Sequence, residues 1–529
     1  MTKEKTHKST TAVDGGDTRS IWMATADVPQ FPAVASNLST DVCIVGAGVA
    51  GMSTAYHLAR AGVKVVVIDD GPIGGGESGR TTAHLTAALD DRYYYLEKIH
   101  GEEGARLAAE SHMAAINRVE EIVRAENIDC EFERLDGYLF LGGDSKVTEL
   151  EDELEATHRA GINDTSLVAR APLKGFDTGA ALRFPNQAQF HPLKYLAGLA
   201  RAITRDGGKI FTGTHAEKIE DGEPCRVTTR SGFVITARNL VVATNTPVND
   251  WVTMHTKQAA YRTYVIGARV KAGSVPRNLY WDTPDPYHYI RLQNADNGSR
   301  DEILIVGGED HKTGQPDFED PEEPFDCLEK WTRERFPDVK AIEYKWSGQI
   351  IEPVDGMAYI GKNPGSNEHI WIATGDSGNG MTHGTIAGIL LSDLIQGRQN
   401  IWAKLYEPSR ISLRASPEFV KENANVAAQF KDYLTGGDVD DYSQIEPGSG
   451  AVIGSGRNKI AVYRAEDGTI HECSAVCPHL YCIVEWNDTE KSWDCPCHGS
   501  RFDPLGRVMN GPAIVGLHPA GKKAGQASS

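Results

Sequence analysis

The sequence has no long apolar run and no cluster of basic residues. No segment approaches the ~20 consecutive apolar residues that a membrane-spanning helix needs, and MTKEKTHKSTTAVDGGDTRS at the N-terminus lacks the apolar core of a secretory signal. The formal net charge of −19 opposes binding to a phosphate backbone. We therefore expect a cytoplasmic protein with no membrane span and no nucleic-acid partner.

The length and the changes in composition along the chain predict several domains. A chain of 529 residues, 40% of them hydrophobic, exceeds one ordinary core. We expect an N-terminal extension over residues 1–37, without structure to about residue 20. A first globular region over 38–400, a polar helical linker over 401–434, a small all-β domain over 435–518 and a tail over 519–529 should follow.

The stretch DVCIVGAGVAGMSTAYHLARAGVKVVVIDD predicts a strand, a glycine turn, a helix and a second strand. Gly46 permits the tight turn, Gly48 lets a pyrophosphate approach the helix N-terminus, and Gly51 allows close packing of helix and strand. Asp69, at the end of the second strand, can accept hydrogen bonds from ribose hydroxyls. Together these residues predict a Rossmann-type dinucleotide site.

A second glycine fingerprint of this kind after a strand is missing, which disfavours a separate NAD(P)H site. Three further segments follow in this order along the chain: GPIGGGESGRTTAHLT (71–86), GGKIFTGTHAEKIEDGEPCRVTTRSGFVITARNLVVATNT (207–246) and WIATGDSGNGMTHGTIAGILLSDLI (371–395). In that order the chain resembles the D-amino-acid oxidase-like FAD-dependent oxidoreductases over about residues 38–400.

The resemblance implies a Rossmann-type α/β FAD-binding domain interleaved with an α+β substrate domain. FAD-binding parts are expected at about 38–90, 186–254 and 346–400, and substrate-binding parts at about 91–185 and 255–345. It also implies further FAD-binding residues, which are Arg80, Thr81, Thr82, His84, Gly375, Gly378, Asn379, Gly380 and Met381.

His84 has two interpretations. The TTAH sequence resembles the T-T-x-H of amine dehydrogenases whose histidine bonds covalently to the flavin, but the chain then reads LTAAL where that pattern has Ala-Ala-Gly. The other interpretation is a histidine packed beside the isoalloxazine ring.

The stretches PYHYIRLQ and LIVGGEDHKTG resemble the sheet that lines the substrate side of the flavin. Tyr289, Arg291, His311 and Lys345 are therefore candidate substrate contacts. Arg291 is suited to hold a carboxylate through two parallel hydrogen bonds.

Five of the nine cysteines crowd into residues 473–497. Cys477 and His479 form C-x-H, and Cys495 and His498 form C-x-x-H after 15 intervening residues. A structural zinc site is one interpretation. Because each of two loops supplies one cysteine and one histidine, a Rieske [2Fe-2S] cluster, with two thiolates on one iron and two imidazoles on the other, is favoured.

CPHLYC, CPCHGS and NGPA resemble Rieske proteins over about residues 435–518. The resemblance implies a disulfide between Cys482 and Cys497 and a Ser500 hydroxyl that hydrogen-bonds a cluster sulfide. Phe502 stands where respiratory Rieske proteins have a tyrosine, so we expect a lower reduction potential than theirs.

The combination predicts a two-cofactor electron path. A mononuclear-iron oxygenase centre is disfavoured because only 31 residues follow His498 and no two histidines lie within five positions of each other. We expect FAD-dependent oxidation of an amine or amino acid, C–N to imine, followed by hydrolysis. The electrons would leave through the cluster, at His479 and His498, to an acceptor protein, quinone or O2.

Proteins of this layout are similar to bacterial γ-glutamylputrescine oxidase-like enzymes. Two alternatives remain. The chain could be a reductase component that feeds electrons to a separate oxygenase, or a flavin oxidase whose cluster has a sensing or structural role.

Overall fold

The computed structural model of the protein describes residues 15–248, 254–295, 300–316, 318, 320–366, 369–411 and 413–520. Its α-helices in these ranges are α1 (Ile21–Thr25), α2 (Val49–Arg60), α3 (Tyr93–Ala125), α4 (Val147–Arg159), α5 (Pro192–Arg205), α6 (Glu323–Arg335), α7 (Gly380–Ile395), α8 (Ala403–Tyr406) and α9 (Ser416–Gln429). None of these helices is both long and apolar enough to cross a membrane.

The strands are numbered in chain order. The strands before residue 230 are β1 (Leu38–Val45), β2 (Val65–Ile68), β3 (His84–Leu85), β4 (Glu133–Phe140), β5 (Ser166–Val168), β6 (Ala181–Gln189), β7 (Lys209–Phe211), β8 (Ala216–Glu220) and β9 (Cys225–Thr229). Those up to residue 374 are β10 (Val234–Val242), β11 (Gln258–Lys271), β12 (Leu279–Asp282), β13 (Tyr289–Asn294), β14 (Asp301–Lys312), β15 (Val339–Pro353), β16 (Tyr359–Lys362) and β17 (Ile370–Thr374). The C-terminal strands are β18 (Ser449–Ile453), β19 (Ile460–Arg464), β20 (Ile470–Ser474), β21 (Glu485–Asn487), β22 (Ser492–Asp494), β23 (Arg501–Phe502) and β24 (Val508–Asn510).

The first sheet has the order β16-β17-β10-β1-β2-β7, and β1 pairs in parallel with both β2 and β10. All four residues of β2 are buried, as expected for a strand covered on both faces. Helix α7 packs so closely on α2 that a Cβ at Gly388 would lie 2.5 Å from the Ser53 Cβ. The predicted β1-α2-β2 unit therefore forms the centre of a Rossmann-type layer.

The second sheet has the order β15-β11-β14-β13-β12-β4-β6-β3 and is mostly antiparallel. It alternates along the chain with the first sheet, which confirms the predicted interleaved α/β and α+β architecture. Strand β15 continues in this sheet to Pro353, past the start at 346 that we predicted for the third FAD-binding part.

The C-terminal region forms a three-stranded sheet, β18-β19-β20, and a four-stranded sheet, β21-β22-β23-β24. The predicted small all-β domain is thereby confirmed. Its core contains Trp493, Phe502 and several of the crowded cysteines.

The N-terminal segment differs from its prediction. We expected no structure to about residue 20, but Ser20 is fully buried and caps α1 by accepting from Met23 N. Trp22 is also fully buried and donates to Thr81 O at 2.6 Å. Residues 1–14 lie outside the described residues. Within the stretch that composition marks as polar tail, Thr18 accepts from Arg80 of the first domain at 2.9 Å and donates to Glu490 of the C-terminal domain, so both domains hold it.

Candidate functional site

A cavity of about 310 Å³ opens at the carboxyl ends of the parallel strands. Gly46 follows β1, Asp69 follows β2 and Gly375 follows β17, and all three line it. Open parallel sheets bind nucleotides at this place.

Gly46 in the turn after β1 and Gly51 in the first turn of α2 permit backbone contacts that a side chain would block. Gly46 has φ +110°, and a Cβ there would lie 2.2 Å from Ala243 O. A Cβ at Gly51 would lie 1.9 Å from Gly46 O, so Gly51 sets the separation of β1 and α2 without lining the cavity. Gly48 lines the cavity as the N-cap of α2.

Asp69 holds the turn from the end of β2. Its carboxylate accepts from Ala47 N at 2.6 Å and from Gly71 N at 2.8 Å. Burial and the adjacent Asp70 raise the pKa of Asp69 to about 7. The carboxylate therefore organises the loop, and its binding to ribose hydroxyls stays a prediction.

Two helix N-termini lie at the cavity. The N-cap residues of α2 and α7, Gly48 and Asn379, provide no side-chain cap. Gly375 and Gly378 have φ +72° and +70°, and a Cβ at Gly378 would lie 1.9 Å from Asp90 Oδ2. Helix N-termini favour anionic groups, so this cradle fits the pyrophosphate of a dinucleotide, although Val49 N of α2 already donates to Ser78 Oγ at 3.0 Å. Gly380 and Met381 line the same wall.

The TTAH segment also lines the cavity, through Thr81, Thr82 and His84. His84 Nδ1 lies 3.0 Å from Thr82 Oγ1, and Nε2 lies 3.3 Å from Ile290 O. Burial and the nearby Arg291 lower the pKa of His84 to about 3, so the ring is neutral. A covalent flavin link at His84 stays a prediction.

The four candidate substrate contacts do not come together. Tyr289 lines the cavity and hydrogen-bonds Thr263. Arg291 is buried outside it, where Nη1 donates to the carbonyl oxygens of Thr82, Ala83 and Phe190 at 3.0–3.1 Å.

His311 and Lys345 also lie outside the cavity. His311 Nε2 lies 3.1 Å from Tyr264 Oη, and the half-buried Lys345 donates to Glu322 at 2.8 Å. Arg291, His311 and Lys345 therefore do not line the cavity in which we predicted that they contact the substrate.

Sequence reasoning missed a polar and aromatic group at the end of the cavity next to β12 and β13, formed by Asp90, Tyr287 and Trp281. Tyr287 Oη donates to Asp90 Oδ2 at 2.7 Å. Burial raises the pKa of Asp90 to about 6, against the opposing effects of Tyr287 and Arg92. No local motif marks Asp90, which follows an Ala-Ala-Leu run.

The second site lies in the C-terminal domain, where two loops bring Cys477, His479, Cys495 and His498 together in the buried core. The imidazole rings of His479 and His498 have centroids 5.1 Å apart. Burial and then His479 lower the pKa of His498 to about 3, and its Nδ1 is buried without a hydrogen-bond partner in the described part of the chain. A neutral imidazole with an unmatched nitrogen fits a metal ligand.

The expected disulfide between Cys482 and Cys497 is present. The sulfur atoms of Cys482, Cys495 and Cys497 lie within 4.8 Å of one another. Since two of them are bonded to each other, the thiols left for iron in these loops are Cys477 and Cys495. Ser500 Oγ accepts from Ala513 N at 3.0 Å, which orients its hydroxyl group within the core.

The two sites adjoin each other. Residues 508–511, 513 and 514 of the C-terminal domain line the nucleotide cavity, and Asn510 Nδ2 donates to Glu77 Oε1 at 3.2 Å. Their contact includes a buried ion pair in which Arg80 Nη1 lies 3.1 Å from Glu490 Oε1. Arg80, predicted to bind the cofactor, thus lines the cavity but has its charge satisfied by the other domain.

The histidine side of the cluster site faces the first domain. His479 and His498 are only 5% and 7% exposed. The ring of His255, from the first domain, has its centroid 4.8 Å from that of His479 and 6.2 Å from that of His498. His255 therefore covers part of this face, and our expectation that electrons leave through these imidazoles stays a prediction.

Comparisons with known proteins agree with both sites. The family model described as FAD dependent oxidoreductase matches residues 41–394, and the Rieske [2Fe-2S] domain model matches residues 437–519. The chain is 34% identical to the "Putative Rieske 2Fe-2S iron-sulfur protein YhfW" of Bacillus subtilis, over 94% of this chain and 96% of the relative.

Two further proteins resemble the first domain. The chain is 28% identical to the "Gamma-glutamylputrescine oxidoreductase" of Escherichia coli, over 69% of this chain and 86% of the relative. Glycine oxidase from Geobacillus kaustophilus shares its fold with a TM-score of 0.59 at 19% identity, over 71% of this chain and 100% of the glycine oxidase.

Proposed function

Because the chain belongs to the FAD-dependent oxidoreductase family and carries a Rieske [2Fe-2S] domain, we propose that it oxidises the C–N bond of an amine or amino acid to an imine and transfers the electrons through the cluster to a separate acceptor. Bound FAD supplies a hydride acceptor, and the cluster supplies one-electron transfer. One observation carries the proposal: a single cavity is lined by both the nucleotide loops and the cluster-bearing domain.

The nucleotide loops hold the FAD in this proposal. The first turns of α2 and α7 bind anionic groups, and Gly46 and Gly48 allow the backbone to approach them. Asp69 hydrogen-bonds the ribose. Thr81, Thr82 and His84 contact the flavin at the opposite wall, with His84 as a neutral, packed side chain.

We place the substrate at the end of the cavity formed by Asp90, Tyr287 and Trp281. This end favours recognition of a nitrogen-bearing group over recognition of a carboxylate. Among the described residues that line the cavity, Arg80 is the one arginine or lysine, and Glu490 neutralises it. Asp90 and Tyr287 are placed to bind the nitrogen-bearing end of the substrate, and Trp281 and Tyr289 enclose its carbon chain. The substrate named for the Escherichia coli relative, γ-glutamylputrescine, is an amine of this kind.

In the C-terminal domain, Cys477 and Cys495 would bind one iron, and His479 and His498 would bind the other. The Ser500 hydroxyl hydrogen-bonds the cluster, and the Cys482–Cys497 disulfide ties the two loops together. The burial of all four side chains would exclude water from a bound cluster.

Anaerobic rapid mixing of the holoenzyme with candidate amines and N-methyl amino acids tests the proposal. We expect the flavin absorbance to bleach first and the cluster absorbance to bleach afterwards. Bleaching by NADH and by no amine would overturn it in favour of a reductase component. Flavin reduction that never reaches the cluster would overturn the electron path and favour a sensing or structural cluster.

A further inference from the structure

Gln349 lies between the flavin cavity and the cluster loop. It belongs to β15, is 3% exposed and lines the cavity. Its side-chain Nε2 donates to Gly499 O at 2.9 Å, in the loop that carries His498. Its backbone N donates to Glu77 Oε2 at 2.6 Å, and Glu77 also lines the cavity.

The first domain holds this cluster loop tightly. Gly499 has φ +73°, and a Cβ there would lie 2.3 Å from the Ala260 Cβ and 2.5 Å from Gln349 Nε2. Gln315 Nε2 donates to Pro496 O of the same loop at 2.9 Å. Two glutamines of the first domain therefore bind the same loop, but Gln315 does not line the flavin cavity.

The other amide atom of Gln349 has no match in the protein. Its Oε1 is buried without a hydrogen-bond partner among the described residues. Leaving such a buried acceptor unsatisfied is unfavourable. Since Gln349 lines the cavity, a donor on the bound cofactor is the natural partner for this oxygen.

We propose that Gln349 is a positioning residue for electron transfer, which joins the flavin cavity to the cluster loop at Gly499. The inference rests on the proposed function. Electrons reach the cluster from the flavin side through this contact.

The number of electrons released in the reaction determines how many transfers the Gln349–Gly499 contact must support. Oxidation of one C–N bond to an imine releases two electrons and two protons. The cluster holds one electron at a time, so two successive transfers cross the Gln349–Gly499 contact. A one-electron acceptor protein removes each electron at another face of the cluster domain, and the protons pass to solvent.

Gln349→Met tests the proposal in the holoenzyme, with Gln315→Met as the matched control because it breaks a hydrogen bond to the same loop outside the cavity. Electrons are placed on the flavin by light with EDTA as the donor, so the test does not depend on amine oxidation. The readouts are the rate of cluster reduction relative to flavin reduction and the EPR spectrum of the dithionite-reduced cluster.

We expect Gln349→Met to slow the relative rate about tenfold and to shift the EPR g-values, and Gln315→Met to change the rate less than about twofold. Equal effects of the two variants, or an unchanged rate in Gln349→Met, would overturn the proposal. If Gln349→Met loses FAD or iron, Gln349→Asn, which keeps the amide but shortens the side chain, replaces it. An unchanged rate in that variant would overturn the proposal equally.

Discussion

At the scale of single residues, Phe502 sets an expected property of the cluster. It is fully buried in the same apolar cluster as Cys477 and Cys495, and its ring has no group to donate a hydrogen bond. Phe502→Tyr adds a hydroxyl donor within this apolar cluster. Since one hydrogen bond of ~1 kcal/mol corresponds to about 40 mV for a single electron, we expect the reduction potential to rise by about that amount.

A redox titration followed by EPR measures the change in potential. Phe502→Leu is the control, because it alters the packing without adding a donor. A rise of the same size in both variants would show that packing, and not the hydroxyl group, changes the potential.

Asp90 gives the substrate site an expected pH dependence. Burial raises its pKa to about 6, so the carboxylate is ionised above this pH and protonated below it. If the ionised form binds the amine, kcat/KM falls as the pH drops through about 6. Asp90→Asn removes a charged partner of ~1.5–3 kcal/mol, so we expect kcat/KM to fall about 10–100-fold and the acid limb to disappear.

Tyr287→Phe sharpens this measurement. The Tyr287 hydrogen bond lowers the pKa of Asp90, so its loss is expected to move the acid limb of kcat/KM to higher pH. An acid limb that stays in place in both variants would assign it to another group.

At the scale of secondary-structure elements, the packing of α2 against the turn after β1 tolerates no side chain at Gly51. A Cβ there would lie 1.9 Å from a backbone oxygen, so Gly51→Ala must separate strand and helix. We expect it to cost more than ~2 kcal/mol of unfolding free energy and to abolish FAD retention.

Gly62→Ala, just beyond α2, is the control for backbone strain alone. Gly62 has φ +77°, but a Cβ at this position would meet nothing within 4 Å, so the substitution costs only about 1–2 kcal/mol and keeps FAD. Denaturant unfolding and the FAD content of the purified variants measure both effects. Equal FAD loss in the two variants would contradict the packing role of Gly51.

Some parts of the two sites were predictable from local sequence patterns, and others were not. The glycine turn after β1 and the two cysteine-histidine loops are local, because each function requires residue types at short fixed spacings. Arg291 could not be placed in this way. It lies two residues from Tyr289 on β13, on the same face of the strand, yet backbone carbonyls from distant segments bind its guanidinium.

Gln349, Glu490 and Asp90 carry no such pattern, since their partners are far away in sequence. The Arg80–Glu490 pair spans 410 positions, and only the packing of the two domains brings its charges together.

At the scale of the whole molecule, buried charges join the two domains. Arg80 and Glu490 have side chains only 1% and 0% exposed, and Ser347 Oγ also donates to Glu490. On the C-terminal side Arg501 Nε lies 3.1 Å from Asp494 Oδ1. A fixed contact of this kind holds the cluster domain against the cavity, as the proposed electron transfer requires.

Glu490→Gln tests the contact, because it leaves the buried Arg80 without its counter-charge. Removing one partner of a buried pair costs about 3–5 kcal/mol, so we expect the unfolding free energy to fall by this amount and the two domains to unfold in separate steps. Arg507→Ala is the control within the same domain. Arg507 is largely exposed in its pair with Asp503, and its loss costs about 0.5 kcal/mol or less.

The pH dependence of the same variant separates the charge from simple loss of packing. Burial alone would raise the pKa of Glu490, but Arg80, Arg262 and Arg501 outweigh it and lower the pKa to about 2, from the usual 4.5. Its stabilisation is therefore complete above about pH 4.5 and is lost as the pH falls towards 2. The difference in unfolding free energy between the native protein and Glu490→Gln should shrink over this window. A difference that stays constant from neutral pH to pH 3 would show that the ionised carboxylate does not hold the domains together.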